Sequence, residues 1–161
     1  MKDGLTIRAA EPADSHAIWR IHTEAIRGIK APYTAQEIES WVNKHTGHGY
    51  AAPIATKRLF VAEENGRLVG FGQLCGAMGV VERIYVLPCV SGGGVGQALM
   101  REAERRAIAA GCRKLYLNSS LNAVAFYQRC GFTRAEIDDP AIASFERDGV
   151  AMVKAVLEGN P

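Results

Sequence analysis

The run from Val86 to Met100 joins an apolar, β-type segment to an amphipathic helical pattern through four glycines in five positions, Gly92, Gly93, Gly94 and Gly96. A chain with that joint has to set a strand directly before a helix and turn between them with almost no side chains. Glycine disfavours a helix interior, so four of them at the start of a good helical pattern call for a reason beyond the helix itself. The first N–H groups of a helix have no partner within it and sit at the positive end of its dipole. A phosphate placed there satisfies both, and glycine lets it come close to the backbone. A ligand-free flexible turn is the competing reading; the position of the cluster between a strand and a helix, rather than between two loops, weakens it.

Three phosphate-binding patterns compete for this segment. A nucleotide P-loop needs Lys and then Ser or Thr after its last glycine, where this chain has Gln97-Ala98. The dinucleotide fingerprint G-x-G-x-x-G fails in both registers, since Gly92 and Gly94 lead to Gln97, and Gly94 and Gly96 lead to Leu99. What remains resembles the acyl-coenzyme A loop of the GCN5-related N-acetyltransferases: Val-x-Pro, two residues, then Arg or Gln-Gly-x-Gly-x-Gly or Ala. Val86, Pro88, Gly92, Gly94, Val95 and Gly96 match that form position by position. Downstream, the run from Asn118 to Phe132 is similar to the family's second motif, a helix carrying Phe-Tyr (Phe126-Tyr127) and ending in Gly-Phe (Gly131-Phe132). Its local physics agrees, with Ser120 as an N-cap, Ala123, Phe126, Tyr127 and Cys130 on one helical face, and Gly131 as the C′ residue. The likeness covers nearly the whole chain.

At 161 residues the chain can bury one good core and is too short for two ordinary domains, so a single domain over 1–161 is expected. With 48% apolar residues and a net charge of +2, nothing suggests disorder, a nucleic-acid footprint or a membrane-surface patch. The start, Met1-Lys2-Asp3-Gly4, lacks the apolar stretch of a signal peptide, and no run approaches bilayer-spanning length; a cytoplasmic protein is expected. Cys75, Cys89, Cys112 and Cys130 are scattered with no C-x-x-C pair, so reduced packing thiols are expected and no metal site is indicated. Cys89, beside the glycine loop, is the one expected to be exposed.

Along the chain, Leu5 to Ala9 reads as a strand, and Pro12 opens a helix with Ile18, Ile21, Ala25 and Ile29 at helical spacing. A second helix runs from about Ala35 to Asn43, with Ile38 and Trp41 inward, and Lys44 to Lys57 reads as a loop. Strands follow at Arg58 to Glu63, Leu68 to Cys75 and Val80 to Val86, the first two joined by an Asn65-Gly66 turn, a strong hairpin signal. The helix after the glycine loop closes at Gly111, with a strand at Lys114 to Leu117 beyond it. After the Tyr127 helix, Phe132 to Ala135 and Val150 to Leu157 read as the last strands. The order is that expected of the acetyltransferase fold, an α/β fold with a twisted mixed sheet flanked by helices.

The resemblance implies an opening between the strand ending at Val86 and the strand at Lys114 to Leu117. Pantetheine amides would pair there with backbone near Ile84, Tyr85 and Val86, like an added strand. It implies acetyl-coenzyme A as cosubstrate, with pyrophosphate on the N–H groups from Gly92 through Gly93, Gly94, Val95 and Gly96 to Gln97. Ser120 and Phe126 would lie along the same cofactor. Tyr127 would serve the departing thiolate as a hydrogen-bond or proton donor. Glu82 shares its alternation face with Ile84 and Val86 and falls near where family members often carry a carboxylate, which makes it the candidate base. A solvated Glu82-Arg83 pair competes with that reading. His22 and Glu24 could also face the acceptor, although a helix-surface position is the simpler reading of both. Two departures stand out: Ser91 replaces the usual Arg or Gln, and Gly93 replaces the basic residue common between the first glycines. Backbone N–H groups are left, with Arg101 or Arg129 nearby. The family's Asn slot holds Ser120, flanked by Asn118 and Asn122, so the pantetheine contact is open among the three. The expected activity is acetyl transfer to a primary amine of a small molecule or peptide in a ternary complex, with a homodimer left open. A non-catalytic coenzyme A-binding domain, or an unrelated nucleotide-binding module, are the alternatives. The segment Ala25 to Trp41, with Tyr33, is expected to shape the acceptor pocket.

Overall fold

A computed structural model of the chain describes residues 4–46, 49–136, 138–143, 145 and 149–156. The elements are β1 (Leu5–Ala9), α1 (Ser15–Arg27), α2 (Ala35–His45), α3 (Ala51–Ala55), β2 (Leu59–Glu64), β3 (Arg67–Cys75), β4 (Val80–Val86), α4 (Val95–Ala109), β5 (Lys114–Ser119), α5 (Val124–Arg129), β6 (Thr133–Arg134) and β7 (Val150–Ala155). The strands order as β1-β2-β3-β4-β5-β7-β6. The sheet is mixed: β4 pairs with β5 in parallel, at Val80 and Tyr116, while β1–β2, β2–β3, β5–β7 and β6–β7 are antiparallel. Contacts divide the chain into two compact units, Met1–Gln73 with Arg83–Glu102, and Leu74–Glu82 with Ala103–Pro161.

In the first unit, Asn65 and Gly66 both take positive φ, 51° and 80°, the combination a two-residue type I′ hairpin requires. That turn fixes the β2–β3 register, with Glu64 opposite Arg67. β3 then alternates between two different tasks. Gly70 leaves room on one face for α4: a Cβ there would stand 3.1 Å from Leu99 Cδ1 and 3.2 Å from Val95 Cγ1. Gly72, on the same face, similarly makes room for the Phe60 ring. Phe71 points to the other face, where its ring meets His22 of α1. Phe60, Phe71, Ile18, Ile21 and Ile26 are fully buried, and each such side chain contributes about 1.5–3 kcal/mol relative to exposure. Arg27 and Glu39 tie α1 to α2 through two N–H···O bonds on the exposed side. In the second unit Leu115, Leu117, Phe132 and Met152 are the buried core.

Several sequence expectations shift. Pro12 opens a single 3-10 turn, Pro12–Asp14, before α1 begins at Ser15. The stretch read as a loop from Lys44 to Lys57 contains α3, where Pro53 and Ile54 are buried behind a buried Tyr50. Pro53 falls in the first turn, where a missing N–H breaks no helix bond, so a proline here is compatible with the helix. Ser120 precedes a 3-10 turn, Leu121–Ala123, and makes no side-chain cap bond; α5 proper starts at Val124. The final pair of strands is shorter than read, with β6 limited to Thr133–Arg134. Leu157 and Met1 to Asp3 lie outside the described residues.

Candidate active site

The glycine turn is built from the strand end outward. Leu87 N–H donates to the Val69 carbonyl at 2.8 Å, which holds the end of β4 on β3. Pro88 to Val90 then form a 3-10 turn with Cys89 exposed, and Pro88 lies against Gly28 at the end of α1, where a Cβ would come within 2.8 Å of Pro88 Cγ. Gly92 and Gly94 both take positive φ, 85° and 88°, with open space where a side chain would begin. The first bond of the α4 ladder runs from Ala98 N–H to the Gly94 carbonyl at 3.0 Å. The N–H groups of Val95, Gly96 and Gln97 therefore precede the ladder and have no carbonyl to reach within the helix. Gly93 differs, since its N–H donates to the Val90 carbonyl at 3.2 Å and shapes the turn. Gly92, Gly93 and Gln97 are exposed, Gly96 is half-buried and Val95 is buried. An anion placed there would meet N–H groups at the positive end of a 15-residue helix, beside glycines that add no bulk.

On the α1 side of β4, the first unit assembles a cluster that the sequence did not reveal. His22 is buried at 1% exposure, whereas Glu24 is exposed, so the surface expectation holds for Glu24 and is overturned for His22. The inward stripe of α1 runs through Ile18, His22 and Ile26, four residues apart, together with Ile21; Ala25 and Ile29 are only half-buried. His22 Nδ1 shares a hydrogen bond of 2.9 Å with the Tyr50 hydroxyl, and its ring centroid is 4.4 Å from that of Tyr85 and 5.6 Å from that of Phe71. Burial pushes the His22 pKa down to about 3, with the positive charge of Arg83 and then His45 acting the same way. His22 is thus a neutral imidazole throughout the ordinary pH range. Burial pushes the Tyr85 phenol up to about 12, partly offset by Arg83 and by a hydrogen bond with the Trp41 side chain. Tyr50 is raised by burial too, again opposed by Arg83. The Arg83 guanidinium stands over the Tyr50 ring, 5.5 Å from its centroid. Tyr33 and Trp41 extend the aromatic surface, with ring centroids 5.5 Å apart. Tyr33 was read from sequence; Tyr50, Arg83 and the Tyr85 ring were not.

The second unit holds the remaining sequence candidates. Tyr127 is half-buried on α5, its ring 5.2 Å from Phe126 and 5.9 Å from the buried Phe132. Phe132 N–H donates to the Tyr127 carbonyl at 3.0 Å, and Gly131 takes φ 96°, so the Gly-Phe end of the motif closes α5 under the tyrosine. Ser120 is half-buried, Asn118 and Asn122 are exposed, and the neighbouring Ser119 hydroxyl donates to the Ser120 carbonyl. Glu82 is exposed on β4, on the strand face of Ile84 and Val86 and opposite to Arg83 and Tyr85 by alternation. Arg129 is exposed, as is Arg101 of the first unit. Among the described residues no group of three or more His, Cys, Asp or Glu side chains is placed to hold a metal ion, and no helix is long and apolar enough to cross a membrane.

A family profile described as Acetyltransferase (GNAT) domain matches residues 29–158. The chain belongs to the GNAT acetyltransferase family. Its fold is shared by solved GNAT structures. A GCN5-related N-acetyltransferase from Rhodopseudomonas palustris superposes with a TM-score of 0.81 at 23% identity, covering 96% of this chain and 98% of that one. The PaiA N-acetyltransferase of Thermoplasma acidophilum, in complex with coenzyme A, gives 0.76 at 19% identity, covering 96% and 99%. Among curated relatives, the glucosamine 6-phosphate N-acetyltransferase of Trypanosoma brucei brucei is 33% identical over 94 residues, 53% of this GNAT chain and 63% of that protein. The chain spans between 46% and 63% of the length of the curated relatives it matches.

Proposed function

We propose that this GNAT chain is an acetyl-coenzyme A-dependent N-acetyltransferase that acetylates a primary amine of a small molecule or peptide by direct transfer in a ternary complex. The observation that carries the reading is the turn at Gly92 to Gly96. Its two left-handed glycines, the open space at both, and the pre-ladder N–H groups of Val95, Gly96 and Gln97 are what a pyrophosphate requires. Backbone at Ile84, Tyr85 and Val86 would hold the pantetheine amides, with Ser120 and Phe126 along the same arm. The cosubstrate supplies the acetyl group already activated as a thioester.

What the protein must supply is a neutral amine and an exit for the thiolate. An alkyl ammonium of pKa ~10.4 presented deprotonated at neutral pH costs roughly 4.6 kcal/mol, whereas an α-amino group near ~7.8 needs only about 1 kcal/mol. Glu82, exposed on β4, takes the amine proton through water; a weak base suffices for the second kind of acceptor. Tyr127, held by Phe126 and Phe132, offers its hydroxyl to the sulfur. Names of the curated relatives, among them glucosamine 6-phosphate and mycothiol acetyltransferases, support an amine as acceptor.

Thiol release from acetyl-coenzyme A over a panel of amines tests this directly. Turnover is expected, with Glu82→Gln and Tyr127→Phe each lowering kcat by about 10²-fold, the lower end of acid–base contributions. Coenzyme A binding without turnover on any amine, unmoved by Tyr127→Phe, would point instead to a binding domain that does not transfer.

A further inference from the structure

Arg83 Nη1 is buried with no hydrogen-bond partner, and so is His22 Nε2. Among the described residues Arg83 forms no ion pair, and its guanidinium stands over the Tyr50 ring. A guanidinium carries five donors, and a donor withdrawn from water without an acceptor is destabilising unless something arrives to accept from it. Structural arginines at half-buried positions are ordinarily forked onto a carboxylate, as Arg8 is onto Asp14 here, at 2.8 and 3.1 Å. Arg83 has no such mate. It sits on the β4 face shared with Tyr85 and exerts its charge on His22, Tyr50 and Tyr85.

Resting on the proposed acetyl transfer, we infer that Arg83 receives the carboxylate of the acceptor, so that the acceptor class is an amine that also carries one carboxylate, an amino acid or a close analogue. The guanidinium fork favours a carboxylate, which it meets through two parallel N–H···O bonds. His22, Tyr50 and Tyr85 beside it are neutral, and the charge of His45 also reaches His22, so aminophosphonates are the comparison that tells a monoanion from a dianion. His22 Nε2 is a second buried polar atom of this wall without a partner, and it is a donor in the tautomer in which the Tyr50 hydroxyl donates to Nδ1. The rings of Tyr50 and Tyr85 supply the apolar wall for the rest of the molecule.

The protein amino acids, their carboxamides and matching aminophosphonates are assayed for acetylation, and their binding is measured by calorimetry without acetyl-coenzyme A. For at least one amino acid, kcat/KM is expected to exceed that of its carboxamide and of its phosphonate by tenfold or more. Arg83→Gln brings the carboxylate-to-carboxamide ratio to within twofold of unity through KM, and Arg83→Lys keeps part of it. Unchanged coenzyme A affinity in both variants confirms that the fold is intact. A ratio equal in wild type and Arg83→Gln, no amino acid preferred over its carboxamide, or preference for the phosphonate, each overturns the inference. Binding of a carboxylate that depends on Arg83, with no acetylation of any amine, would leave the anion site standing and overturn the transferase reading instead.

Discussion

His22 occupies a position where α-helical spacing and an aromatic wall coincide, and its chemistry follows from that placement. The residue is 1% exposed with a pKa of about 3, against ~6.5 in an unfolded chain. Its folded pKa is the lower of the two, so its contribution to stability is whole above about pH 6.5. It is lost as pH falls toward 3, because only the unfolded chain takes up the proton. The slope from this one group approaches about 1.4 kcal/mol per pH unit inside that window. Urea unfolding between pH 6.5 and 4.5 is expected to show wild-type stability falling more steeply than that of His22→Gln by close to that amount. Parallel lines for the two proteins would mean that the folded state accepts the proton on His22 without penalty. The loss of the Tyr50 hydrogen bond shifts the variant's line without tilting it, so the slope isolates the titration.

At the scale of elements, the turn into α4 presents backbone where many anion sites present side chains. Ser91 is exposed and the glycines around it offer only N–H groups. Ser91→Arg is expected to tighten coenzyme A about 3- to 5-fold by calorimetry, the yield of a charge-assisted contact discounted for solvent screening. An unchanged affinity would mean that the backbone clamp is complete. This turn was legible in the sequence because backbone demands are written directly as glycines. The Asn65-Gly66 hairpin was legible for the same reason, and both appear with the positive φ they imply. The wall around Arg83 was not. Its members come from α1, the residue before α3, β3 and β4, and no local period links His22, Tyr50, Phe71 and Tyr85. α3 itself was hidden by Pro53, and the α1 stripe was read through Ala25 and Ile29 when the buried line runs through His22 and Ile26.

For the molecule as a whole, a cofactor that binds the folded chain alone links binding to folding. Acetyl-coenzyme A at a hundredfold excess over its Kd is expected to add about 2.7 kcal/mol, a rise of about 5–10 °C in Tm for a chain of this length. Stabilisation by ATP or NAD with none by coenzyme A would return the glycine turn to a nucleotide-binding role. The family and the mixed sheet could be read from two motifs because those motifs set strand-to-helix geometry over most of the chain; acceptor chemistry depends on side-chain tips brought from distant segments. β3 keeps these two kinds of information physically apart. Gly70 faces α4 and Gly72 the Phe60 ring, and neither admits a side chain without displacing Leu99, Val95 or Phe60, while Phe71 between them faces the wall of His22 and Tyr85. Over residues 70–72 the strand thus divides its labour: the two glycines are closed to side chains, and the phenylalanine between them backs the wall. An engineer wishing to retarget this protein can alter the wall at position 83 and leave the seating of α4 as it stands.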